Sequence, residues 1–134
     1  MDCIFVPIMN KVLISIGTNE NTEANLLLCH HLLENTFSDI KYSQTSITAP
    51  YGVQYKNNFL NQLALLYTKE DIDYTTSLLK SFEKKIGRTP SDKEKGIVKI
   101  DIDIVVWNDK VIKPNDISRS YIVDLLPTLR DNIL

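Results

Sequence analysis

VKIDIDIVVW, residues 98–107, is the stretch that decides how the chain is assembled. Its apolar residues alternate with others, the period of a strand with one buried face. Ile100, Ile102, Ile104 and Val106 fall on one side, and Lys99, Asp101, Asp103, Val105 and Trp107 on the other. Aspartate is disfavoured in strands, so two in one short strand stand out. Carboxylates at i and i+2 lie about 6.5–7 Å apart along a strand. At that spacing they can share one or two hard cations. Mg²⁺ takes one or two carboxylates and completes its shell with water and phosphate oxygens. On spacing alone the simpler reading is two solvated acids beside Lys99 on an exposed face.

The segment leading into this strand changes the balance. RTPSDKEKG (88–96) reads as a polar, mobile loop, and Lys84, Lys85, Arg88, Lys93, Lys95 and Lys99 crowd around it. Cations to hold phosphates next to acids to hold a metal suit a polyphosphate carried by magnesium. SIGTN (15–19) has a single glycine, which excludes the P-loop and dinucleotide-binding fingerprints.

The rest of the chain supplies a frame for that strand. KVLISIG (11–17) reads as a buried strand. A helix follows, with Asn21 or Thr22 as N-cap and Ala24, Leu27, Leu28, Cys29, Leu32 and Leu33 as its apolar face. DIKYSQTSI (39–47) is a strand, and TAPYGVQYKN (48–57) is a loop punctuated by Pro50 and Gly52. NFLNQLALLYT (58–68) alternates, with Phe59, Asn61, Leu63, Leu65 and Tyr67 opposed to Leu60, Gln62, Ala64 and Leu66. A second helix runs from Glu70 to Ile86 on Ile72, Thr75, Leu78, Leu79, Phe82 and Ile86, and Gly87 stops it. NDKVIKPND is a turn with a short strand, and Pro127 should interrupt a weak helix over 118–131. The order β-α-β-β-α-β predicts an α+β, ferredoxin-like split β-α-β fold. Its antiparallel sheet would carry both helices on one face and the site on the open one.

With 134 residues the chain is expected to be one domain, 1–134. A net charge of −2 gives no nucleic-acid footprint. Cys3 and Cys29 have neither disulfide-framework nor zinc spacing, the usage of a reduced, cytoplasmic protein. No apolar run is long enough to span a membrane. The first residues have no basic n-region, so a signal peptide is not expected. Met9 leaves two readings of residues 1–10 open, an alternative start or a short extra strand.

Taken together, four motifs resemble the 6-hydroxymethyl-7,8-dihydropterin pyrophosphokinases of folate synthesis. ISIGTNENTEANL resembles their first strand and turn, and TAPYGVQYKNNFLNQLALL their Thr-Ala/Pro-Pro-x-Gly loop and following strand. FEKKIGR resembles their Ile-Glu-x-x-x-Gly-Arg helix end, and KIDIDIVVWND their acidic strand. The resemblance covers roughly residues 11–112 and implies a ferredoxin-like enzyme. It would pass a pyrophosphoryl group from ATP to the hydroxymethyl oxygen of the pterin and release AMP. Asp101 and Asp103 would be catalytic and would ligate two Mg²⁺ ions, and Arg88 would act with them. Gly17, Thr48, Ala49, Pro50, Tyr51, Phe59, Asn61 and Tyr121 would bind the pterin. Glu83, Arg88, Lys95 and Lys99 would bind the nucleotide. The partners implied are these small molecules alone, with the protein a monomer or weak homodimer.

The chain departs from the family pattern at two places. EKGIV (94–98) stands where the family carries Arg-Trp-Gly-Pro-Arg, and no His-Pro segment follows the acidic strand. The family also continues beyond the point where this chain ends, so a divergent, shortened member is expected. Two other readings stay open. One is a relative that binds a pterin or nucleotide without turnover. The other is an interaction module of the same fold whose acids are only surface.

Overall fold

The computed structural model describes residues 8–50, 54–55, 57–113 and 120–131, the side chains of 120, 130 and 131 excepted. The elements are β1 (Asn10–Thr18), α1 (Thr22–Thr36), β2 (Ile40–Thr48), β3 (Phe59–Thr68) and α2 (Ile72–Ile86). A 3₁₀ helix (Pro90–Lys95), β4 (Asp101–Trp107), β5 (Lys110–Val111) and α3 (Ser120–Asp131) follow. The strands form one sheet in the order β2-β3-β1-β4-β5, antiparallel at every pairing. β1 is central and covered on both faces, which is why its apolar run is nearly unbroken. The expected extra strand at 1–10 falls mostly outside the described residues; Ile8 and Met9 have no regular structure.

Both predicted helices pack on one face. Val12, Ile14 and Ile16 of β1 meet Leu26, Cys29 and Leu33 of α1 and Leu79 and Phe82 of α2, with Ile100, Ile102 and Ile104 beside them. Asp71 caps α2, its side chain accepting the Tyr74 N–H at 2.8 Å, and Gly87 ends it at φ 116°. The apolar face of α1 is rotated from the expected one: Leu26 is buried, while Leu27 and Leu28 are exposed. Three consecutive leucines leave the helical phase undetermined until the sheet selects it.

The opposite face is not left open. α3 lies across it, and Tyr121, Ile122, Leu125 and Leu129 form a second core with Leu13, Leu63 and Val105. Pro127 sits inside α3 rather than ending it. Pro127 and the exposed Val123 four residues earlier both face water, which can serve the carbonyl that Pro127 cannot.

Two stretches differ from their sequence reading. The register of β4 on β1 shifts between Leu13 and Ile14, so Val105 and Val106 both lean on the second core, whereas Trp107 packs on the first. A bulge reverses side-chain alternation beyond it. Residues 88–96 are an ordered turn: Thr89 and Asp92 form a reciprocal capping box around the 3₁₀ helix, and Asp92 is buried.

Asn19 ties this turn to the end of β1. Its backbone N–H donates to the Val98 carbonyl at 2.9 Å, its Oδ1 accepts the Val98 N–H at 2.6 Å, and its Nδ2 donates to the Gly96 carbonyl at 2.9 Å. Asn57 Nδ2 in turn donates to the Asn19 carbonyl at 3.2 Å. At Gly96 the backbone runs at φ 69° and presses against the Gln54 carbonyl, so a methyl there would be strained and would collide with backbone.

Two measurements check this frame. Gly96→Ala should lower stability by more than ~1 kcal/mol, the left-handed penalty alone; an unchanged denaturation midpoint would contradict the packing of the two loops. Burial, with the charge of Glu83 adding to it, pushes the Cys29 thiol up from 9.0 to about 12. Below pH 9.0 both states keep the proton, and between 9.0 and about 12 only the unfolded chain loses it. Stability should therefore fall across that window. Cys29→Ala should fall less steeply over the same window, and parallel declines would rule the effect out.

Candidate active site

Three strands set the floor of a cleft of about 460 Å³ on the α3 side of the sheet. Asn61 of β3 pairs with Gly17 of β1, and Gly17 pairs with Asp101 of β4, so the three form one row across the sheet. In the adjoining row, Leu63, Ser15 and Asp103 stand side by side. Among the described residues, α3 packs on Leu63 at the edge of the cleft and not on the row Asn61–Gly17–Asp101. Its first described side chain, Tyr121, closes that end, with its hydroxyl 3.2 Å from Ser15 Oγ.

The β3 end of the cleft is lined by two aromatic rings, a hydroxyl and an amide, from Tyr55, Phe59, Thr48 and Asn61. Phe59 and Tyr55 meet edge to face with ring centres 5.3 Å apart. Asn61 Nδ2 donates to Thr48 Oγ1 at 2.8 Å, with the Ser46 carbonyl at 3.4 Å, which fixes the amide plane. Its Oδ1 is then turned toward Gly17. A methyl on Gly17 would lie 3.6 Å from Asn61 Oδ1 and 3.9 Å from the Phe59 ring, ordinary contact distances. Gly17 is a strand residue rather than a turn glycine, and what it preserves is space over the floor.

The β4 end is ionic. Glu83, whose side chain is only 5% exposed, lies beneath the acid pair. It accepts the Ile102 N–H at 2.7 Å, Lys80 Nζ at 2.9 Å and Arg88 Nη1 at 3.0 Å. Arg88 Nη1 also reaches Asp101 Oδ1 at 3.0 Å and the Ile100 carbonyl at 3.2 Å. Lys80 Nζ lies 3.2 Å from Asp103 Oδ1 and 3.7 Å from Asp101 Oδ1. Lys113 approaches Asp103 Oδ1 from the other side at 3.4 Å.

Burial, then the neighbouring charge of Asp103, raises the Asp101 carboxyl above its ordinary range. Burial works against ionised Asp103 too, but the hydrogen bond with Asp101 and the charges of Lys80 and Lys113 outweigh it and lower its pKa. Two crowded carboxylates of this kind fit a divalent cation. Among the described residues no three His, Cys, Asp or Glu side chains converge as a metal site. The donor set is thus the two-carboxylate kind that leaves positions for water and phosphate oxygens.

The structure brings most of the expected residues together. Gly17, Thr48, Phe59, Asn61, Asp101, Asp103 and Tyr121 all line the cleft. Ala49 and Pro50 follow β2 outside its lining, and Tyr51 lies outside the described residues. Three residues expected on the nucleotide side stand outside the cleft lining. Glu83 is buried and holds Lys80 and Arg88. Lys99 is turned away, donating to the Gly87 carbonyl at 2.8 Å and pairing with Asp92 at 3.4 Å. Lys95 is exposed on the 3₁₀ helix, outside the cleft lining. Sequence reading missed Lys80, Lys113, Ser15 and Tyr55. Only Lys80 had a local signal, standing one helical turn before Glu83.

A family description, 7,8-dihydro-6-hydroxymethylpterin-pyrophosphokinase, matches residues 13–130. The 2-amino-4-hydroxy-6-hydroxymethyldihydropteridine pyrophosphokinase of Helicobacter pylori is similar, 26% identical over 113 residues that cover 81% of this chain and 69% of that protein. With nearly its whole described length inside the family match, the chain belongs to the 7,8-dihydro-6-hydroxymethylpterin-pyrophosphokinase family.

Proposed function

We propose that the chain catalyses transfer of a pyrophosphoryl group from ATP to the hydroxymethyl oxygen of 6-hydroxymethyl-7,8-dihydropterin, a step of folate synthesis. The hydroxymethyl oxygen attacks the β-phosphorus of ATP. The bridging bond to the α-phosphate breaks, AMP leaves, and the hydroxyl proton passes to solvent or to a group nearby. The observation that carries this reading is the row Asn61–Gly17–Asp101. Its two ends, amide and acid, lie two strand spacings apart, roughly 10 Å. A pterin bound at the Asn61 end would then offer its side-chain hydroxyl toward a phosphate held over β4.

Each end then has a defined task. Phe59 and Tyr55 offer ring faces and edges, and the fixed Asn61 amide reads the polar edge of the heterocycle. Gly17 lets the ring lie close to the sheet. Asp101 and Asp103 would hold two Mg²⁺ ions, which when bound neutralise phosphate charge and align the reacting oxygens. Arg88, Lys80 and Lys113 stand at the same acids, placed to meet phosphate oxygens. Catalysis here is chiefly positioning and electrostatics.

Asp101→Ala and Asp103→Ala should each cut AMP formation from Mg-ATP and dihydropterin by at least ~10²-fold, the scale of losing one preorganised charge contact. AMP that forms at the same rate without the pterin, or in both variants, would refute the assignment. Gly17→Ala should leave thermal stability unchanged, because the added methyl meets only ordinary contacts. It should weaken pterin binding about ten-fold, near 1.4 kcal/mol. Calorimetric titration with the pterin, alongside a melting curve, separates the two effects; undiminished binding would remove Gly17 from the site.

A further inference from the structure

Asp101, Asp103 and Lys113 line the β4 wall of the cleft, and Lys80, Arg88 and the buried Glu83 stand behind the two acids. Asp101, Asp103 and Glu83 face Lys80, Arg88 and Lys113, with contacts from 2.9 Å to 3.7 Å. With every group ionised the formal charges cancel. Lys80 is the cation that touches all three acids. Its ammonium lies 2.9 Å from Glu83 Oε2, 3.2 Å from Asp103 Oδ1 and 3.7 Å from Asp101 Oδ1, and it donates to the Ile102 carbonyl at 3.1 Å. It comes from the rigid body of α2, whereas Arg88 and Lys113 come from chain beyond the ends of α2 and β5.

A divalent ion arriving alone meets carboxylates that are already neutralised. Binding there would add uncompensated charge to a partly buried wall, an arrangement that low-polarity surroundings penalise. A polyphosphate arriving with the ion changes this. Its oxygens can share Lys80, Arg88 and Lys113, which loosens their hold on Asp101 and Asp103 while Glu83 keeps its partners, and the wall stays near neutrality.

We propose that Lys80 is a resident counter-cation of the acid pair that couples divalent-ion binding to polyphosphate binding. The free protein binds the ion weakly, and the ion and nucleotide each strengthen the other's binding. Reciprocity follows from linkage, since a coupling that favours the ion in the presence of phosphate favours phosphate equally in the presence of the ion. Lys80 is thus a positioning residue acting through Asp101 and Asp103. The inference rests on the reading of those two aspartates as cation ligands.

The test is Mn²⁺ binding to the full chain at neutral pH, read from the loss of the free-ion electron paramagnetic resonance signal, with melting curves alongside. Lys80→Met should bind Mn²⁺ alone about 5- to 150-fold more tightly than the wild type, the usual span of such couplings. Lys80→Arg, which keeps the charge, should behave as the wild type. A folded Lys80→Met protein that binds Mn²⁺ no more tightly overturns the proposal. Should that variant not fold, the wild type decides. Its affinity for α,β-methylene-ATP must rise when Mn²⁺ is added by more than the protein-free complex explains, and equal affinity overturns the coupling. An analogue that binds neither wild type nor Lys80→Arg counts against the proposed reaction. The difference in Mn²⁺ affinity between wild type and Lys80→Met then still decides the role of Lys80.

Discussion

Glu83 has almost no contact with water, and its oxygens are engaged at the junction of α2 and β4. One oxygen takes the Ile102 amide and Lys80, and the other takes Arg88. Burying a carboxylate without such partners is costly. Here the partners are a strand amide and two cations that also reach the acid pair, so one group fixes three things at once. It pins the last turn of α2 to the start of β4. It sets where Asp101 and Asp103 stand. It also holds the two cations at the edge of the cleft, since Lys80 and Arg88 cannot swing fully into water without stranding Glu83.

The second constraint is where cover on the far face of the sheet ends. α3 buries Leu13, Leu63 and Val105, and beyond Tyr121 no described helix covers the β1–β3–β4 floor. The residues lining that floor include glycine, amide and acid. Without α3 the sheet would have no wall to make a cleft; with a longer α3 the polar rows would be buried. Asn19 completes the enclosure from the other end, hydrogen-bonding the turn before β4 and the segment before β3 to the end of β1.

Strand order and the two helices on one face were legible because period and length agree wherever a segment is buried on one side. The bulge at Val105 was not, since nothing local distinguishes Val105 from Val106 as the extra residue. The leucine run of α1 hid its own phase for the same reason. The capping box at Thr89 and Asp92 did have a local signal, a threonine with an acid three residues later, but the charge density of the segment read as a solvated loop. Asp101 and Asp103 could be named because aspartate is out of place in a strand, whereas Asn61, Phe59 and Gly17 were named from the family resemblance of their motifs. Lys113 could not, since a lysine after a short strand is ordinary until the fold sets it against an acid, and Lys80 showed only its place one helical turn before Glu83. The burial of Glu83 was hidden for the converse reason, as sequence shows the charge but not its surroundings.

The absence of arginines from EKGIV therefore does not leave the acids without cations. Lys95 and Lys99, the nearest replacements in sequence, point elsewhere, and positive charge reaches the cleft from α2 and from beyond β5. This exchanges position and kind together. An arginine fork fixes a phosphate by two parallel bonds, whereas a lysine is a point charge that tolerates several orientations. Arg88, the one fork at the pair, is tied to Glu83 and Asp101. The orientation of a phosphate chain in this cleft must then come mainly from whatever the two aspartates hold. In the proposed reaction, control of nucleotide geometry would thereby shift from the turn before β4 to the strand itself, which presents both carboxylates to the cleft.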